Sequence, residues 1–284
     1  MEMDMEILIA KSTGFCFGVK RAIKEAEKTA EEKGSHIYTL GPIIHNPQVV
    51  GRLEEKGIYT KNSLDDIDGG TIIIRSHGVK VEEFIAAGQK GLDIVDATCP
   101  FVKKAQDLVS RLTAEGYTVV VAGKREHPEV KGLVSYGSRD LWVAETPDDL
   151  RGMKRCPKIG IVAQTTLAMK KLETIVNFCL SLASEIKVFN TICNATSIRQ
   201  EECADLAGHV DVMVVVGGRN SSNTMRLTEI CSAVLDRTHH VETADELKAQ
   251  WFKDCMRVGV TSGASTPDWI IREVVEKIAK IGPK

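Results

Sequence analysis

The sequence predicts an α/β protein of three pseudo-threefold-related lobes, each with a mainly parallel sheet, grouped around one central site. Three observations carry this. Apolar strand-like runs alternate with amphipathic helical stretches along all 284 residues, which is the pattern of α/β layers. A cysteine, a helix and a strand ending in glycine recur three times in one order. A later strand in each third runs into a second polar cluster. The lobes are expected over 1–98, 99–192 and 193–284.

The strand-like runs, in order, are YTLG, TIIIRS, DIVDAT, TVVVAG, KIGIVAQ, VMVVVGG and RVGVTSG. Each is short, apolar and closed by glycine or small polar residues. KRAIKEAEKTAEEKG, VKKAQDLVSRLTAEG and SIRQEECADLAGH place apolar residues three and four apart and read as helices. The repeat is close in register. Cys16 to Gly41 spans 25 residues, Cys99 to Gly123 spans 24, and Cys193 to Gly217 spans 24. Four residues past these glycines stand His45, His127 and Ser221. The later strands end near His77, Thr165 and Ser265. Ligand groups in parallel sheets gather at the carboxyl ends of strands, so these residues are expected to converge.

Bulk properties narrow the function. The net charge of −2 excludes a general polyanion binder, so no nucleic acid is expected. The start, MEMDMEILIAK, is acidic and lacks the basic region and long apolar core of a secretory signal. Apolar runs such as VMVVVGG are too short to span a bilayer. A cytoplasmic protein with no membrane partner is expected. In that reducing setting, eight scattered cysteines with no CxxC pair do not suggest disulfides.

Cys16, Cys99 and Cys193 each stand just before a helix, in GFCFGVKRA, DATCPFVKKA and NTICNATSIRQ. A helix N-terminus favours thiolate, as do Lys20, Arg21, Lys103, Lys104 and Arg199 if they point inward. Packing alone does not require sulfur at one register three times, and a lone nucleophile accounts for one cysteine only. Zinc held by three cysteines and a histidine is one possibility. An iron–sulfur cluster with three protein thiolates and one open iron suits the pattern best. Cys156, Cys179, Cys203, Cys231 and Cys255 have no repeat partner and read as structural. Phe15 and Phe17 read as an apolar shell around Cys16, although Phe17 is equally compatible with the core of its own lobe.

His45, His77, His127, Thr165, Ser221, Ser222, Asn223 and Ser265 form a second set of hydrogen-bonding groups suited to phosphate oxygens. Neither a Walker A loop nor GxGxxG is present, so a nucleotide is not indicated. Glu129, in EHPEV, is the carboxylate able to relay protons beside this set. Asp96 reads as a cap for the following helix. His36, His209, His239 and His240 read as surface residues.

GFCFGVKRAI, GPIIHNPQVV, RSHGV, DATCPFVKKA, GKREHPEVKG, QTT, NTICNATSIRQ, GGRNSSNT and SGASTPDWI, in this order from about residue 7 to about residue 275, resemble the motifs of the LytB/IspH family of 4-hydroxy-3-methylbut-2-enyl diphosphate reductases. The resemblance implies a three-lobed fold around a [4Fe–4S] cluster held by Cys16, Cys99 and Cys193, its open iron taking the substrate's hydroxyl oxygen. It implies that His45, His77, His127, Ser221, Ser222, Asn223 and Ser265 hold the diphosphate. Thr165 would position the hydroxyl and pass protons supplied by Glu129. The implied reaction is a reductive dehydration to isopentenyl and dimethylallyl diphosphate, in the methylerythritol phosphate route. Electrons would come from a separate ferredoxin or flavodoxin.

Overall fold

The computed structural model describes residues 5–138 and 140–281. The chain divides into two compact units. Met1–Phe17, His45–Val49 and Asn194–Lys284 form the first, and Gly18–Ile44 with Val50–Cys193 the second. In chain order the main elements are β1 (Glu6–Ile9), α1 (Phe17–Lys33), β2 (Ile37–Leu40), α2 (Pro47–Glu55), β3 (Ile58–Lys61), β4 (Thr71–Ile74), α3 (Val81–Gln89), β5 (Asp93–Asp96) and α4 (Pro100–Ala114). They continue with β6 (Thr118–Ala122), α5 (Pro128–Ser135), β7 (Trp142–Ala144), β8 (Cys156–Ala163), α6 (Met169–Cys179) and β9 (Ala183–Phe189). The last are α7 (Asn194–Ala207), β10 (Val212–Val216), α8 (Ser222–Val234), β11 (Thr238–Val241), β12 (Arg257–Ser262) and α9 (Asp268–Ile281).

The strands form three four-stranded sheets, and every pairing is parallel. The second unit holds two, ordered β3-β2-β4-β5 and β7-β6-β8-β9; the first unit holds β11-β10-β12-β1. The three orders are one plan. The first strand lies second, beside an edge strand and the third strand, and a fourth strand closes the far edge. In the first unit that fourth place is filled by β1, which pairs with β12 through Glu6 opposite Arg257. The opening residues, expected within the 1–98 span, thus complete the sheet formed by the last third of the chain.

All seven strand-like runs and all three helical stretches noted in the sequence are present. The five strands not read from sequence, β1, β3, β7, β9 and β11, all lie at sheet edges. Central strands are covered on both faces and become continuous apolar runs; β10 is buried at all five positions. Edge strand β9 fully buries only Ala183 of ASEIKVF and exposes Ser184, Val188 and the charged Glu185 and Lys187, which hides it among helix-like polarity.

The helices after the cysteines pack onto the next sheet in the chain. In α4, Ala105, Leu108, Val109 and Leu112 are buried against Val119, Val121 and Val162. In α7, Cys203 and Ala207 meet Met213, Val215 and Cys231. Gly160 sets how closely α4 approaches β8, because a Cβ there would lie 2.6 Å from Leu112 Cδ2. No helix among the described residues is long and apolar enough to cross a membrane. Leu112→Ala removes a side chain with no exposed surface and is expected to cost about 2–5 kcal/mol, read as a lowered urea midpoint with the native circular dichroism retained.

Candidate functional site

Each sheet has a switch point between its first and third strands, since the chain leaves them toward opposite edges. That is where crevices open in parallel sheets. The structure builds these turns three times in one way. The glycine ending the first strand donates its N–H to the last residue of the neighbouring edge strand: Gly41 to Lys61 at 2.7 Å, Gly123 to Ala144 at 2.8 Å, and Gly217 to Val241 at 2.9 Å. Each cysteine N–H then donates to the carbonyl two residues beyond the third strand of its own sheet. These bonds are Cys99 to Ser76 at 2.9 Å, Cys193 to Thr165 at 3.0 Å, and Cys16 to Ala264 at 3.0 Å. The accepting residues are Thr165 itself and the immediate predecessors of His77 and Ser265. One repeated hydrogen bond therefore couples each candidate thiol to a candidate polar residue.

In the second unit, Cys99 is the N-cap of α4 and Pro100 its first residue, a place where the missing proline N–H costs nothing. The loop before it is held by Arg21, whose guanidinium donates to Thr98 O at 2.9 Å and Asp96 O at 3.2 Å. Asp96 accepts from Thr98 N–H and pairs with Lys103, so it fixes the turn before the helix. Gly18 gives the Cys99 sulfur its space: a Cβ there would fall 2.5 Å from Sγ.

The same unit places Glu129 on the first turn of α5, 1% exposed. Its Oε1 accepts from Thr165 N–H at 2.7 Å, and its Oε2 from the Thr165 hydroxyl at 2.8 Å. Burial raises the carboxyl pKa to about 7, even though both Thr165 hydrogen bonds pull it down. His127 is the N-cap of α5, its Nδ1 accepting from Glu129 N–H at 3.2 Å. That bond needs a lone pair on Nδ1, so the neutral ring carries its proton on Nε2 and presents a donor. The His77 ring meets the His127 ring edge-on, centroids 5.6 Å apart. The Gln164 side chain accepts from Lys124 N–H and donates to Thr166, bracing the two turns.

In the first unit, Ser221 is the N-cap of α8, its Oγ accepting from Thr224 N–H at 3.3 Å. Ser222 and Asn223 open the helix. Asn223 is 4% exposed, and neither end of its amide meets a partner among the described residues. An unmet buried amide costs about 1–3 kcal/mol, which a bound acceptor or donor would offset. Ser265 Oγ donates to His45 O at 3.1 Å, and a Cβ on Gly218 would lie 2.6 Å from that oxygen. The His45, Ser221 and Ser265 segments are therefore packed together. The buried Arg199 guanidinium reaches Gly14 O at 2.9 Å and Ser262 O at 3.2 Å, tying the Cys16 loop to the end of β12.

The whole architecture has known counterparts. The family model described as LytB protein matches residues 7–279. The chain belongs to the LytB family. Among curated relatives it is 55% identical to the 4-hydroxy-3-methylbut-2-enyl diphosphate reductase of Citrifermentans bemidjiense, covering 98% of both chains. It is 52% identical to the protein of the same name from Geobacter sulfurreducens, covering 99% of each. A solved structure of (E)-4-hydroxy-3-methyl-but-2-enyl diphosphate reductase, described as the terminal enzyme of the non-mevalonate pathway, matches at 47% identity and a TM-score of 0.72. It covers 97% of this chain and 99% of that one. The E-1-hydroxy-2-methyl-but-2-enyl-4-diphosphate reductase from Plasmodium falciparum matches at 29% identity and a TM-score of 0.90, covering 96% and 87%.

Within this LytB fold, several sequence expectations change meaning. Arg21, Lys103 and Arg199 were candidates to favour thiolates directly. They bind carbonyls or Asp96 in the loops that carry cysteines. Phe17 is 64% exposed and joins no lobe core. Ser221 both caps its helix and stands in the polar set. His240, expected to be an idle surface residue, lies 2.7 Å through Nε2 from Gly217 O, at the turn leading to Ser221. No sequence signal marks it, because THHV is a short edge strand with no repeat partner. A protonated-carboxyl infrared band that titrates near pH 7 is expected for Glu129 and should vanish in Glu129→Gln. Because its folded pKa exceeds the unfolded value, wild-type stability should fall as pH rises from about 4.5 through about 7, and Glu129→Gln should flatten that fall. Denaturation midpoints across this range check the sign.

Proposed function

We propose that this chain catalyses the reductive dehydration of (E)-4-hydroxy-3-methylbut-2-enyl diphosphate to isopentenyl and dimethylallyl diphosphate, the last step of the methylerythritol phosphate pathway. The observation that carries the reading is near-full-length identity above one half to a relative bearing that reductase name. The reaction consumes two electrons and two protons and releases the hydroxyl as water.

Cys16, Cys99 and Cys193 are proposed as ligands of one [4Fe–4S] cluster. The donor set fits: three thiols of equivalent register, each N–H anchored by the same bond and each followed by a helix. The close approach of the Gly18 backbone to Cys99 Sγ leaves no room for a side chain there. When bound, the cluster would supply the electrons and, through an iron without a protein ligand, a Lewis-acid position.

The remaining chemistry belongs to side chains. His45, His77, His127, Ser221, Ser222, Asn223 and Ser265 are proposed to hold the diphosphate. His127 does so as an Nε2–H donor and Asn223 through its unmet amide. Binding energy from this distant group orients the reacting carbon. Glu129, with a pKa of about 7 in a dry setting, is half protonated at neutral pH and is the proposed proton source. Thr165 Oγ1, 2.8 Å from Glu129 Oε2, passes the proton to the departing hydroxyl. Ferredoxin or flavodoxin is the proposed electron donor, in the cytoplasm.

The test is anaerobic turnover of the allylic diphosphate by cluster-replete protein with dithionite-reduced methyl viologen. Turnover is expected, and its absence would leave a redox-sensing iron–sulfur protein as the better reading. Glu129→Gln should keep iron content and substrate affinity while kcat falls about 10²–10⁴-fold; wild-type turnover in that variant would reject the proton-source role.

A further inference from the structure

The second unit holds a cavity of about 260 Å³ apart from the residues assigned above, beyond the carboxyl ends of β4 and β5. Its walls include Phe84 of α3 and Tyr136 at the end of α5, with Asp96, Lys103, Gln106 and Asp107 supplying the polar groups. Lys103 is engaged with Asp96. Asp107 has no ion-pair partner among the described residues, so the cavity carries an uncompensated negative charge. Tyr136 reports the same field: its phenol pKa is raised by burial and then by Asp96 and Asp107.

Gln106 is the second observation. It is 5% exposed and lines the cavity, and no side-chain hydrogen bond engages its amide among the described residues. Two glycines leave it space. A Cβ on Gly78 would lie 2.6 Å from Gln106 Nε2, and one on Gly132 would lie 3.8 Å away. The amide is thus open to a polar group of a ligand that enters the cavity.

We propose that this cavity binds a small organic cation, an ammonium or guanidinium group on a short apolar body. The cationic head faces Asp107 and the Gln106 amide, and the apolar body lies against Phe84 and Tyr136, whose ring faces attract cations. The charge excludes diphosphates, so the site is distinct in chemistry from the anion-binding set. Thr98 and Asp96 on its wall form the turn that Arg21 holds in front of Cys99, so an occupant would stiffen that turn.

The probe is benzylammonium, with benzyl alcohol as its neutral counterpart, titrated into anaerobic holoprotein and followed by saturation-transfer NMR and calorimetry. Benzylammonium is expected to bind with a Kd of about 1 mM or tighter and the alcohol about tenfold more weakly. Asp107→Asn, at an exposed position, and Gln106→Leu should each weaken benzylammonium binding by about tenfold. Equal binding of both probes, no saturation by benzylammonium in the millimolar range, or unchanged affinity in Asp107→Asn would overturn the proposal.

Discussion

The rest of the structure depends on one backbone hydrogen bond, made three times. The N–H of Cys16, Cys99 or Cys193 donates to the carbonyl two residues past the third strand of its sheet. Parallel pairing makes this possible, because all strands of a sheet then end on one side. The fourth strand delivers a cysteine to that side, and the third delivers Ser76, Thr165 or Ala264. In each sheet the backbone of a cysteine is thereby tied to the turn that carries His77, Thr165 or Ser265.

The same constraint explains why β1 belongs with β10–β12. The chain passes from each sheet's fourth strand through a cysteine and a helix into the next sheet. β5 leads through Cys99 to β6, and β9 leads through Cys193 to β10. For Cys16 to stand at an equivalent junction, the strand before it must be the fourth strand of the sheet whose first three strands come last. Spacing between Cys16 and Gly41 made the repeat legible. It carried no sign of β1's partner, because EILI is a short edge strand and register across 250 intervening residues, as between Glu6 and Arg257, leaves no local trace. Central strands such as VMVVV were legible because burial on both faces writes itself as unbroken apolar sequence. Edge strands such as THHV and IYTK lack that mark. The candidate site was legible by motif. The supports were legible only as residue types: Arg21 and Arg199 were visible as cations near cysteines, whereas their carbonyl partners required the fold.

Glu129 shows a conflict between folding and chemistry. A carboxyl 1% exposed is costly to ionise, and two hydrogen bonds from Thr165 only partly offset the loss of water. A solvent-exposed glutamate would be easier to fold around and would be almost fully ionised at neutral pH. Burial keeps a proton available beside a hydroxyl that can move it. The unmet amide of Asn223 is a parallel case in the first unit, where a polar group is kept dry without a protein partner.

The central claim is that three cysteines of equivalent register act as one ligand set and the other five do not. The most direct test is iron and inorganic sulfide content, measured anaerobically for each of eight single Cys→Ser variants. The account predicts about four of each per chain in wild type, sharp loss in Cys16→Ser, Cys99→Ser and Cys193→Ser, and retention in the soluble variants of the other five. Full iron in any of the first three, or zinc in place of iron in the wild type, would contradict it.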